Sequence, residues 1–160
     1  MESEQALYPC MQTPSGIHPE HLEGAACHRY VLAKKEEGNT AYRAGNWAAA
    51  LAAYSLARGR IQDIGDFLTA SDRAVLQCQI YGNRASAMIG NKEYQRAVRE
   101  CIIALFYGET HAAASLRAKL WARMGRALVL AGLADAAIEP FKQSLAIEED
   151  AEVRAALGAC

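Results

Sequence analysis

Three sets of small residues recur along this chain at one spacing: Gly38, Ala50 and Ala57; Ala85, Ala97 and Ala104; Gly125, Ala137 and Ser144. In each set the gaps are 12 and then 7 residues. Small side chains are needed where two helices of a pair approach closely, because a larger one pushes the axes apart. Large residues fall between them in register: Trp47 and Tyr54, then Tyr94, then Phe141. Tyr81 and Trp121 stand four residues before Ala85 and Gly125, and the register predicts that they pack on the neighbouring pair.

Between these positions almost everything from about Tyr30 onward reads as helix. Ala, Leu, Arg and Glu dominate, and strand-like alternation is missing. Breaks fall at "AGN" (44–46), "RGRIQDIGD" (58–66), "GN" (90–91), "GET" (108–110) and "AG" (131–132). They divide the chain into about six helices and a short C-terminal piece near 150–158. Ser71 and Thr110 are the expected N-caps of the third and fifth helices. Pro19, after His18, suits a first helical turn. Residues 1–17, with Pro9, Pro14 and Gly16, read as a mobile arm before a single domain over 18–158.

The pattern resembles the tetratricopeptide repeat (TPR) family over roughly residues 31–147. "GNTAYRAGNWAAALAAYSLA" (38–57) matches best, "NRASAMIGNKEYQRAVRECIIA" (83–104) well, and "GRALVLAGLADAAIEPFKQSLA" (125–146) recognisably. The resemblance implies an all-α fold: three helix–turn–helix units, about 31–60, 78–108 and 117–147, in a right-handed superhelix. A capping helix over about 150–158 would close the stack, and the first helix of each unit would line a concave groove. There are departures. The proline that closes such repeats is missing after all three. Repeat starts lie 47 and then 40 residues apart, against the usual 34. The extra residues fit around 60–72 and 108–117. Ala134 stands where the other repeats have Trp47 and Tyr94, and Pro140 inside the sixth helix removes a backbone bond and is expected to kink it.

Lys119 and Arg123 share one helical face, with no acidic residue three or four positions from both. The repeat register turns that face into the groove. It brings Lys35 and Asn39 from the first unit and Asn83 from the second to the same side. Cationic and carboxamide donors together suit a pair of carboxylates, such as those of a chain ending in Asp or Glu. Each charge-assisted bond of this kind contributes on the order of 1.5–3 kcal/mol. Lys35, Asn39, Asn83, Lys119 and Arg123 match the carboxylate-clamp subfamily of TPR proteins. The resemblance implies a non-enzymatic co-chaperone or adaptor. Its partner would be the C-terminal Glu-Glu-Val-Asp tail of cytosolic seventy- and ninety-kilodalton heat-shock chaperones. By the same analogy Tyr42, Ser86 and Ile89 line the groove beside the clamp. Asn39 and Asn83 are common in such repeats generally, whereas the scaffold does not demand Lys35, Lys119 or Arg123. The alternative is a TPR scaffold that holds another partner on a different surface.

Other functions find less support. A formal net charge of −1 gives no field to hold nucleic acid or an anionic membrane, and no apolar run is long enough to span a bilayer. "MESEQALYPC" is acidic and lacks a signal-peptide core, so the cytoplasm or nucleus is the expected compartment. Five cysteines without a CxxC fit a reducing compartment, with Cys78 and Cys101 as core filler. His18, His21, Cys27 and His28 form a cluster of ligand-type residues at a spacing that matches no standard zinc pattern. P-loop, GxGxxG and GxSxG motifs are missing. No cofactor, metal or enzymatic activity is expected.

Overall fold

The computed structural model describes residues 19–160, with side chains from residue 23 onward; the expected mobile arm and His18 lie outside them. Among these residues the secondary structure is entirely helical. In chain order the helices are α1 (Pro19–Arg43), α2 (Trp47–Arg60), α3 (Ala70–Gly90), α4 (Tyr94–Gly108), α5 (Ala114–Leu130), α6 (Ala134–Ile147) and α7 (Ala151–Gly158). A 3₁₀ segment, Ile61–Phe67, joins α2 to α3. The pairs α1–α2, α3–α4 and α5–α6 stack in order, and α7 closes the stack on α6. α1 meets α3 and α3 meets α5, while α2, α4 and α6 lie farther from one another. The first helices of the three pairs therefore crowd together on the inner side of the stack.

The recurring small residues are the closest approaches within each pair. All nine are buried. A Cβ on Gly38 would lie 2.4 Å from the Tyr54 ring, and one on Gly125 would lie 2.5 Å from the Phe141 ring. In the middle pair Ala85 already carries its Cβ, and the residue in the ring's place is the buried Cys101. Each pair thus fills the same volume by a different division between the facing positions.

The tight turns repeat as closely as the helices. Gly45, Lys92 and Gly132 have φ of 72°, 62° and 78°. In each turn the residue after them returns its N–H to the carbonyl five positions back: Asn46 to Ala41 (2.9 Å), Glu93 to Met88 (2.8 Å) and Leu133 to Leu128 (2.9 Å). This is the Schellman pattern, which satisfies carbonyls at a helix end through one left-handed residue. Glycine takes that conformation freely, whereas Lys92 takes it against its own Cβ.

Two N-caps differ from the sequence expectation. Thr69, not Ser71, caps α3: its hydroxyl accepts from Asp72 N–H (3.0 Å) and donates to Asp72 Oδ2 (2.7 Å). Asp72 at the third helical position thus engages the capping hydroxyl through both its N–H and its carboxylate. Thr110 caps nothing. The Gly108 carbonyl takes Ala112 N–H (3.0 Å) and holds the chain in a turn, so α5 starts at Ala114 without a side-chain cap. The sixth helix runs unbroken through Pro140, whose missing bond falls to the exposed Ala136.

Trp121 packs against Ala85 and Cys101 of the preceding pair, as the register predicts. Tyr81 also meets a neighbouring pair, packing with Leu116 and Leu120 of the next, and in addition stacks on Tyr107 of its own pair, with ring centroids 5.7 Å apart. Between α3 and α4 a buried Arg84 donates to Glu100 through one nitrogen at 2.7 and 2.9 Å. The length added between the first two pairs is the 3₁₀ segment. It buries Ile61 and Ile64 and presses on α1 at Gly24, where a Cβ would meet the Ile64 carbonyl at 2.5 Å.

Candidate functional site

Lys35, Asn39 and Arg43 form one row along α1, each four residues after the last. Asn83 on α3 and Arg123 on α5 face the same space. Asn39, Tyr42, Arg43, Tyr54, Asn83, Ser86 and Arg123 line a pocket of about 190 Å³, and no acidic residue is among them. Three successive inner helices and the α2 ring behind them thus share one small concavity.

Asn39 is its hub. Its Oδ1 accepts from the Tyr54 hydroxyl at 2.8 Å and from Asn83 Nδ2 at 3.0 Å. Its Nδ2 donates to Glu36 Oε2 at 2.9 Å, and Arg43 donates to the other oxygen of that carboxylate at 2.9 Å. Burial pushes the Tyr54 hydroxyl up to about 12, so it remains a neutral donor. The Arg43 and Asn39 hydrogen bonds hold Glu36 below the usual carboxylate range.

Arg123 is set from beneath. Its Nη1 donates to the Gly82 carbonyl at 2.8 Å, across the α3–α5 contact. A side chain at 82 would block that reach, since a Cβ there would stand 3.2 Å from Arg123 Nη1 and 2.8 Å from Leu120. Burial lowers the Arg123 pKa from its ordinary value. An arginine stays protonated under such pressure, so the pocket holds a partly desolvated cation whose remaining N–H groups can receive an anion.

The two lysines do not line this pocket. The half-buried Lys35 amine donates to Gln79 Oε1 at 2.8 Å, and burial lowers its pKa. Lys119 is exposed and borders a separate cleft of about 90 Å³ with Arg126 and the acidic run Glu148, Glu149 and Asp150. Of the residues expected beside the clamp, Tyr42 and Ser86 line the pocket, whereas Ile89 packs against Met88, Ala97 and Ala127. Arg43, Tyr54, Gln79 and Gly82 belong to the arrangement without having been singled out. Arg43 and Gln79 were in reach, because each stands one turn from Asn39 or Asn83 on the same face.

Of the His/Cys segment, His18 and the side chain of His21 lie outside the described residues. Cys27 is buried against Val31 and the 3₁₀ segment, and the His28 ring lies 5.5 Å from the Phe67 ring. Among the described residues there is no group of three His, Cys, Asp or Glu that could hold a metal ion, and no helix is long and apolar enough to cross a membrane. Burial raises the Cys78 and Cys101 thiols to about 11 and about 12, which keeps them protonated and unreactive.

No protein-family model matches the chain, and no curated protein sequence does. Solved structures do match. The N-terminal domain of stress-induced protein-1 from C. elegans superposes with a TM-score of 0.67 at 25% identity, over 84% of this chain and 96% of that one. The TPR domain of OM64 from Arabidopsis gives 0.66 at 23% identity, over 83% and 95%. The second TPR domain of human RPAP3, solved in complex with the HSP70 peptide SGPTIEEVD, gives 0.64 at 22% identity, over 83% and 96%. The fold is that of TPR domains, a stack of helix pairs with a concave inner face.

Proposed function

We propose that this chain is a non-enzymatic adaptor or co-chaperone that holds the C-terminal Glu-Glu-Val-Asp tail of a cytosolic heat-shock chaperone of the seventy- or ninety-kilodalton class. The observation that carries the reading is the convergence of Asn39, Asn83 and Arg123, from three successive inner helices, on one pocket without a lining acid. The peptide in the human RPAP3 complex ends in this sequence, which supports the class of ligand.

In this reading Arg123 and the Asn83 amide receive one carboxylate of the terminal Asp in the pocket. Lys35 and Lys119 flank it from α1 and α5. Lys35 exchanges a neutral partner, Gln79, for a charged one, and Lys119 is exposed and free to turn. The expected affinity is low- to mid-micromolar, about −6 to −8 kcal/mol, because a flexible tail pays ordering entropy on binding. Added salt weakens it, since the contacts are ionic and partly exposed.

The test is calorimetric titration with a pentapeptide ending in Val-Asp, as the free acid and as the C-terminal amide. The free acid binds, and the amide binds at least about tenfold more weakly, a loss of 1.4 kcal/mol or more. Equal affinity would pass the reading to a TPR scaffold that uses another surface. The place to look is then the cleft of about 480 Å³ between α4 and α6, where Ile102 and Phe106 are exposed beside Trp121.

A further inference from the structure

Glu36 points an acid at a site built for acids. It lies on α1 three residues before Asn39 and takes the Asn39 amide on one oxygen and Arg43 on the other, both at 2.9 Å. Arg43 itself lines the pocket with Asn83 and Arg123. A carboxylate of the chain's own therefore sits on two donors of the pocket, one neutral and one cationic. Both Glu36 and Arg43 are exposed, with side-chain accessibilities of 63% and 65%, so neither is locked in place by packing. The pairing is of the kind that exchanges readily for another carboxylate, because an exposed pair gains little from its own attraction.

Resting on the reading above, we propose that Glu36 is a built-in stand-in for the ligand: its carboxylate holds Asn39 and Arg43 until a chain terminus displaces it, and Arg43 then becomes a further donor of the clamp. The Asn39 Oδ1 stays with Tyr54 and Asn83 throughout, so the amide keeps its orientation while its NH₂ group changes partner. Arg43 is the natural recipient of the incoming carboxylate because its planar fork bonds two oxygens at once. Glu36, swung outward, is solvated at little cost. The device favours ligands whose carboxylate competes with that of a glutamate, and it disfavours neutral chain ends, which gain nothing in exchange for releasing Glu36. It also keeps Arg43 occupied when no ligand is bound, and leaves Arg123 as the open cation of the pocket.

The experiment titrates the free-acid pentapeptide into wild type, Glu36→Gln, Glu37→Gln, Arg43→Ala and the Glu36→Gln/Arg43→Ala pair. Glu37 is the control for net charge: it is the next residue, exposed, and bonded to Lys34 at 2.6 Å instead of to the pocket. Glu36→Gln binds roughly two- to fivefold tighter than wild type, the range of an exposed ion pair removed as a competitor. Glu37→Gln leaves affinity within about a factor of 1.5, as a solvated charge outside the pocket should. Arg43→Ala weakens binding, and it weakens binding more in the Glu36→Gln background, where Arg43 has no pair to surrender. The proposal is overturned if Glu36→Gln gains no more than Glu37→Gln, or if Arg43→Ala costs nothing in the Glu36→Gln background. The amidated peptide separates the two levels. Discrimination against the amide with no effect of Glu36 leaves the chaperone-tail reading standing and removes only the stand-in. Equal binding of acid and amide removes both.

Discussion

Asn83 Nδ2 donates to Asn39 Oδ1 across 3.0 Å, a bond between residues 44 positions apart on the first helices of two successive pairs. It ties α1 to α3 at the level of the pocket, and Tyr54 bonds the same oxygen from behind. An aspartate at 39 would keep both of these bonds as an acceptor, turn the exposed Glu36 away into solvent, and place a negative charge among the anion donors. Asn39→Asp is therefore expected to fold with little change in melting temperature and to bind the free-acid peptide at least about tenfold more weakly, since like charge in an interface is costly. Calorimetry beside a thermal melt reads both. Retained binding would show that the terminal carboxylate sits elsewhere.

Tyr54 has two tasks that a single substitution separates. Tyr54→Phe keeps the ring that fills the space over Gly38 and removes the hydroxyl that orients Asn39. The expected loss is about 0.5–1.5 kcal/mol of stability, the net worth of one hydrogen bond, with weaker peptide binding as Asn39 keeps only Asn83 and Glu36 to orient it. The pH profile carries a sign. Burial raises the hydroxyl from 10.0 to about 12, so its contribution is present below pH 10 and is lost as pH rises toward 12. Denaturant melts between pH 9 and 12 should show wild type losing stability faster than Tyr54→Phe over that window. Parallel profiles would contradict the assignment.

Gly125→Ala drives a methyl group to 2.5 Å from the Phe141 ring. Overpacking of this kind costs about 1–3 kcal/mol. Phe141→Leu in the same chain should restore part of the loss, because the middle pair already balances a larger Ala85 against a smaller Cys101. The two changes together costing as much as the sum of each alone would show that they do not share the space.

Lys92 is the exception among three turns of one geometry. Its φ of 62° is the conformation that glycine takes at 45 and 132. Lys92→Gly removes a strain of about 1–2 kcal/mol and gives back part of it through the looser unfolded chain. A net gain of about 1 kcal/mol is expected, which for a domain of this size raises the melting temperature by about 2–4 °C. A lower melting temperature would mean that the lysine side chain contributes contacts outweighing its backbone strain.

Glu100 neutralises a buried arginine, with side-chain accessibilities of 12% for Glu100 and 7% for Arg84. Glu100→Ala leaves that cation uncompensated, and the expected cost is about 3–5 kcal/mol by chemical denaturation. Replacing both residues, Arg84→Met with Glu100→Leu, should recover most of it.

The helices, their order and the faces they bury were legible because the signal is periodic and the chain repeats it three times. The two misplaced caps show what a local reading lacks. Ser71 is the better cap residue by type, yet Thr69 takes the place, with Asp72 engaging its hydroxyl through N–H and carboxylate. Tyr81 meets a neighbouring pair as its spacing predicts, while its stacking on Tyr107, on the other helix of its own pair, is invisible to spacing. At the pocket, the inner faces follow from helical period, but which donors meet depends on partners brought from other helices. Gln79 engages Lys35, and the Gly82 carbonyl engages Arg123. Arg43 was visible as the next step of the Lys35–Asn39 row, and Glu36 declares its part only once its two oxygens are seen on Asn39 and Arg43.

The tight turns within the three pairs are alike, and the added length of the chain sits between pairs, in the 3₁₀ segment and in the stretch 109–113. Asn39, Asn83 and Arg123 all stand in the C-terminal half of their helices, toward the turns. The stack has a conserved-geometry end and a permissive end, and the pocket belongs to the first. At that far end the exposed Glu109–Thr110 can carry an inserted tag while the donors keep the positions that the common turns give them, whereas the 3₁₀ linker is held in place by its buried Ile61 and Ile64.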